Sequence, residues 1–116
     1  MVTSTTPAKK LLFTLIIKVN KIYRSRKLLD LVRESPCQIC GAQDGTVVAA
    51  HSNQQRDGKG MGIKAHDYRI AALCFACHAD LDQGVRLNKD ERKNVWDEAH
   101  RKTIGWLFEA GHLKIG

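Results

Sequence analysis

The chain has 116 residues, 43% apolar and 27% charged, which bounds it to one small globular domain and excludes a disordered polypeptide. No apolar run approaches the roughly 18 residues of a membrane span, and the longest, Leu11 to Ile17, carries a threonine. The net charge of +7 is concentrated at one end, because residues 1–36 hold eight basic side chains against two acidic ones, a polarity that suits a polyanion such as nucleic acid.

Residues 1–8 are small and polar. Lys9 and Lys10 precede Leu11–Ile17 as they would in a secretory leader, but lysines soon follow and no Ala-x-Ala-like site appears, so a cytoplasmic protein is expected. Residues 11–19 fit a strand, although Leu12, Ile16, Val19 and Tyr23 also keep helical spacing. Residues 24–33 predict a short helix with Leu28, Leu29, Leu31 and Val32 as its apolar positions, stopped by Ser35-Pro36. Residues 46–51 (TVVAAH) and 68–73 predict two short strands, separated by a polar, glycine-bearing loop over 53–64. A short helix over 74–82 follows, with Gly84 as its C-cap. Asn88 and Glu91 form a capping-box pair that opens a long amphipathic helix, whose stripe runs through Val95, Ala99, Thr103, Trp106 and Ala110, widened by Trp96 and Leu107 and closed by Gly111. Both tryptophans are expected in the core, His66 in solvent, and His100 and His112 at the surface.

A core of this size benefits from a staple, and Cys37-x-x-Cys40 with Cys74-x-x-Cys77 supplies one. The two-residue spacer lets both thiolates of a knuckle face one ion, so the four cysteines predict a structural zinc site. Two disulfides would need an oxidising compartment. Between the knuckles lie His51, at the end of a predicted strand, and a stretch containing Lys59, Lys64, His66, Asp67 and Arg69. A neutral imidazole at His51 suits proton abstraction from water. His78 and Asp82 are spaced i, i+4, one turn apart on a helix, as two ligands of a common divalent cation would be.

The order Cys37-x-x-Cys40, Ala50-His51-Ser52-Asn53, Leu73-Cys74-x-x-Cys77-His78 resembles the HNH, or ββα-metal, nucleases. The segments AAHSN, GKGMGIKAHD and AALCFACHADLDQG, and the closing AHRKTIGWLFEAGHLK, are similar to the Ref-type phage and prophage proteins, small HNH-related nucleases associated with recombination. The resemblance covers residues 24–116 and leaves 1–23 as a separate basic segment. It implies an α+β fold with a zinc-stabilised ββα centre and a C-terminal amphipathic helix. It further implies a metal-dependent DNA endonuclease with little sequence specificity, acting in recombination with a host or phage recombinase. In that reading His51 is the general base, His78 and Asp82 hold Mg²⁺ or Mn²⁺, and Asp67 is either a further ligand or the group that orients His51. Lys59, Lys64, Arg69, Arg24, Arg26 and Lys27 are candidate phosphate contacts. Two positions depart from the family pattern: Ala50 stands where a ligating Asp or His commonly precedes the catalytic histidine, and Arg69 where an asparagine is expected. These departures leave a non-catalytic zinc-binding DNA module, or a recombination adaptor, as the alternative.

Overall fold

The computed structural model describes residues 22–115, so the strand expected over 11–19 and most of the basic segment lie outside the described residues. Helix α1 spans Arg26–Val32, begun by Ser25, whose hydroxyl accepts from the Leu28 N–H. Strands β1 (Val48–His51) and β2 (Ile70–Leu73) pair antiparallel, with Val48 opposite Leu73 and His51 opposite Ile70. Helix α2 (Phe75–Gln83) follows β2 after the single residue Cys74, and α3 (Lys89–Glu109) closes the chain. Both capping-box hydrogen bonds between Asn88 and Glu91 are present at 2.8 Å. The architecture is α+β, and among the described residues no helix is long and apolar enough to cross a membrane.

Both strands begin two residues later than the sequence predicts. Thr46 is held in a local turn, its N–H and hydroxyl both donating to Asp44 Oδ1, the kind of side-chain bond that competes with a ladder. Ahead of β2, the Arg69 N–H closes a turn onto the His66 carbonyl.

β2 is buried along its whole length because α3 crosses it. Ala71 and Ala72 let the helix approach, while Ile70, Leu73, Leu107 and Val32 fill the space on either side. The buried positions of α3 are Trp96, Ala99, Thr103 and Leu107, so the stripe is rotated from the expected one. The residues predicted to widen it form its centre, and Ala110 is exposed. Two backbone groups of Ala72 are satisfied away from β1: its carbonyl accepts from the Gln38 N–H at 2.8 Å, and its N–H donates to Thr103 Oγ1 at 2.9 Å. The outer edge of β2 is thereby covered at Ala72, not left open there to pair with another chain. Thr103→Val keeps the shape but strands the buried Ala72 N–H, at a cost of about 1–3 kcal/mol. Urea denaturation should show a lowered midpoint with an unchanged slope.

Helix ends follow two different rules. Gly111 adopts φ +81° after α3, the left-handed conformation that glycine permits. Gly84 is the C-cap of α2, as expected, its N–H donating to the Asp80 carbonyl at 3.0 Å, but with φ −72°. It is needed for close approach instead, since a Cβ there would lie 2.3 Å from the Asp80 carbonyl oxygen.

Candidate functional site

The first knuckle turns back on itself through a 2.8 Å bond from the Gly41 N–H to the Cys37 carbonyl, and the second sits where β2 passes into α2. The Ile39 N–H reaches Cys37 Sγ and the Cys77 N–H reaches Cys74 Sγ, each at 3.5 Å. These bonds orient the Cys37 and Cys74 sulfurs, and the sulfurs of Cys37, Cys40, Cys74 and Cys77 all lie within 4.8 Å of one another. Tetrahedral zinc with bonds of about 2.3 Å sets its sulfurs about 3.8 Å apart, and Cys40 and Cys74 are at 3.7 Å. The separation is far beyond a disulfide bond of about 2.05 Å. The set is a four-cysteine cage of the size zinc requires.

Its electrostatics point the same way. Burial opposes ionisation of Cys37, yet backbone N–H groups at Cys40, Cys74 and Ile39 bring its thiol down to about 6. Burial and the neighbouring sulfurs push the Cys77 thiol far up. Four such groups cannot all ionise side by side without a cation between them.

At the other end of the paired strands β1 ends at His51, opposite Ile70, and α3 fixes that end from both strands. Trp96 Nε1–H donates to the Ala50 carbonyl at 3.2 Å, and His100 Nδ1–H donates to the Ile70 carbonyl at 2.7 Å while its ring stacks on Trp96. His100 is therefore a structural clamp and not the surface group expected from the sequence. The loop after β1 is pinned as well: Gln54 Nε2 and Arg56 Nη2 both donate to Asp97 Oδ1 on α3, and Ser52 donates to the buried Asp57.

His51 Nε2 lies 2.8 Å from Asp67 Oδ1. An ionised carboxylate only accepts, so Nε2 carries a hydrogen, and the tautomer this selects has its lone pair on Nδ1. Asp67 is itself held by the Ser25 N–H at 2.7 Å and by Arg24 Nη1 at 3.3 Å. Both oxygens are engaged and 4% of its side chain is exposed, so Asp67 holds the His51 ring in place in this structure. Burial opposes its ionisation, but the His51 hydrogen bond, the Ser25 N–H and the Arg24 charge together hold its carboxyl below the usual carboxylate value. A depressed native pKa stabilises the fold above the unfolded value of roughly 4, and that contribution is lost as pH falls through the native value. Asp67→Asn should therefore be less stable than the parent at neutral pH, with the gap closing in acid. Urea denaturation from neutral pH into acid checks this, and zinc release, common to both proteins, cancels in the difference.

His78 and Asp82, one turn apart on α2, bring Nε2 and Oδ2 to 3.2 Å. They share with His51 a cleft of about 270 Å³ that is also lined by Ala50, Asn53, Gln54, Leu73, Leu81, Trp96 and three cations of α3, Lys89, Arg92 and Lys93. His51 and His78 thus face one space. Among the described residues, the four cysteines are the only group of three or more potential metal ligands.

The expected phosphate contacts fare differently. Arg24 is committed internally, its guanidinium donating to the carbonyls of Tyr23, Lys64 and Ala65 as well as to Asp67. This ties the chain ahead of α1 to the loop that carries Asp67. Arg69 lies 3.6 Å from Asp57 and over the Tyr68 ring. Arg26, 3.5 Å from Asp30, and Lys27 are exposed on α1, and Lys64 is exposed in the loop beside the half-buried Lys59. None of these six lines the cleft. His66, expected in solvent, accepts from the Tyr23 N–H through Nδ1 and stacks on Tyr68. The α3 cations were missed because their side of that helix is polar, and polar helix faces ordinarily meet solvent.

Comparison of the chain with models of protein families, with curated proteins and with solved structures finds no match.

Proposed function

We propose that the chain is a metal-dependent endonuclease of the HNH type that hydrolyses DNA phosphodiesters with little sequence specificity, in a phage or prophage recombination setting. The observation that carries this reading is the single cleft shared by His51, with its carboxylate partner, and the His78–Asp82 pair. The chain order supports it too: strand β1 with a terminal histidine, strand β2, then a helix bearing a second histidine in its first turns.

His51 Nδ1 takes a proton from the attacking water. Asp67 fixes the tautomer that leaves this nitrogen basic and balances the imidazolium that forms. His78 and Asp82 would hold Mg²⁺ or Mn²⁺. Their 3.2 Å separation is close to the roughly 3.0 Å between adjacent ligands of an octahedral ion with bonds of about 2.1 Å. Bound there, the ion supplies charge neutralisation at the phosphate and at the leaving oxygen. Asn53 and Gln54 line the same space as neutral donors. The zinc cage takes no part in the chemistry and holds α2 against the hairpin. The basic N-terminal segment adds sequence-independent affinity, and a recombinase is the partner that would deliver the DNA.

Ala50 favours a second reading, a zinc-bearing DNA-binding module without catalysis. Its methyl group supplies no ligand at the cleft, so only two protein donors remain for a catalytic ion. Incubation of zinc-loaded protein with supercoiled plasmid, with and without Mg²⁺ or Mn²⁺, separates the two. Divalent-dependent nicking supports the nuclease, whereas salt-sensitive binding without nicking supports the module.

A further inference from the structure

Lys89, Arg92, Lys93 and Trp96 fall at i, i+3, i+4 and i+7 of α3, one face of a helix, and all four line the cleft together with His78 and Asp82. Trp96 is buried as the floor of this wall, and the three cations stand along it. Among the described residues none of the three has a carboxylate within 4.0 Å, and the chain has no acid before Asp30. Arg33, Arg56, Arg86 and Arg101 are each paired with an acid. Arg92 is braced instead by the Leu81 carbonyl at the end of α2, which sets its guanidinium at the seam between the two helices. The only carboxylate lining the cleft, Asp82, is turned onto His78. Three cations against one engaged acid make the cleft an electropositive slot.

The geometry points to the Lys89–Arg92–Lys93 face of α3 as the subsite for a DNA phosphate flanking the one to be cleaved. Resting on the nuclease reading of the cleft, this assigns substrate positioning to the C-terminal helix, not to the glycine-bearing loop or to Arg24. It also makes recognition on this helix face a matter of backbone charge.

Binding of a fluorescein-labelled 20-base-pair DNA duplex tests it by anisotropy across a sodium chloride series. The zinc-loaded full chain carries His51→Ala, and no Mg²⁺ or Mn²⁺ is added, so that affinity is read without cutting. Lys89→Gln with Lys93→Gln should reduce the slope of log K against log salt by about 0.9, the loss of one phosphate contact on a duplex. Lys102→Gln, on the same helix but beside Gln38, Ile39 and Glu98, should leave the slope unchanged. The inference is overturned if the double variant keeps the parental slope, or if Lys102→Gln lowers it as much per lysine. Plasmid nicking measured in parallel on chains that retain His51 keeps the two proposals apart. Nicking at the parental rate by the double variant, with an unchanged slope, removes the phosphate subsite and leaves the nuclease. A reduced slope with no nicking by any chain removes the nuclease and leaves the subsite.

Discussion

Removing zinc is expected to unfold the domain. The four cysteines join the segment after α1 to the junction of β2 and α2, and Cys74 is both a ligand and the N-cap residue of α2. The core they brace is small, built largely from Val32, Ile70, Ala71, Ala72, Leu73 and Leu107. Structural zinc supplies about 10–16 kcal/mol of apparent binding energy, against a typical domain stability of about 5–15 kcal/mol. Withdrawal of the ion by a strong chelator should therefore abolish the cooperative thermal transition and expose Trp96, read as a red shift in its fluorescence. Cys74→Ser should act in the same direction, and at about 4–8 °C per kcal/mol a loss of about 5 kcal/mol lowers Tm by more than 20 °C. A chelated chain that keeps a cooperative transition at the same temperature would show that the core suffices without the metal.

His51→Ala should reduce DNA nicking by about 100- to 10,000-fold, the usual contribution of a positioned general base, while zinc content and salt-dependent DNA binding stay as in the parent. The side chain is 17% exposed at the rim of the cleft and makes its hydrogen bond to Asp67, so its removal opens little of the core. Asp67→Asn separates orientation from basicity. An amide can present its NH₂ to Nε2 and leave Nδ1 as the protonated nitrogen, which places the lone pair on the wrong atom. Its nicking rate should fall as well, with DNA affinity unchanged. Full activity in His51→Ala would remove this histidine from the chemistry.

Features that depend on short spacings were legible in the sequence. Paired Cys-x-x-Cys knuckles announce a four-sulfur cage because two residues are the spacer that a single ion demands, and all four sulfurs converge. Asn88 and Glu91 announce a helix start for an equally local reason, and His78 and Asp82 meet because one turn separates them. Contacts made across the fold were not legible in this way. Asp67 reaches His51 from sixteen residues away, and its second oxygen is held from Ser25, forty-two residues off. Arg24 reads as a free cation in a basic stretch, yet its guanidinium is spent on three carbonyls and a carboxylate of the chain itself. The stripe of α3 was misplaced by one position at two points, Val95 for Trp96 and Trp106 for Leu107, because apolar residues occupy neighbouring rows, and only the packing against β2 decides which row is central. Lys89, Arg92 and Lys93 belong to the cleft because α3 folds back over the hairpin, a tertiary fact without a local signature.

That His51 shares its cleft with a second, exchangeable cation is tested most directly by titrating Mn²⁺ into the zinc-loaded chain and following the free ion by electron paramagnetic resonance. The account predicts a single Mn²⁺ bound per chain, displaced by Mg²⁺ and lost in both His78→Ala and Asp82→Ala while the zinc remains. No Mn²⁺ bound by the parent chain, or binding that survives both substitutions, would contradict it.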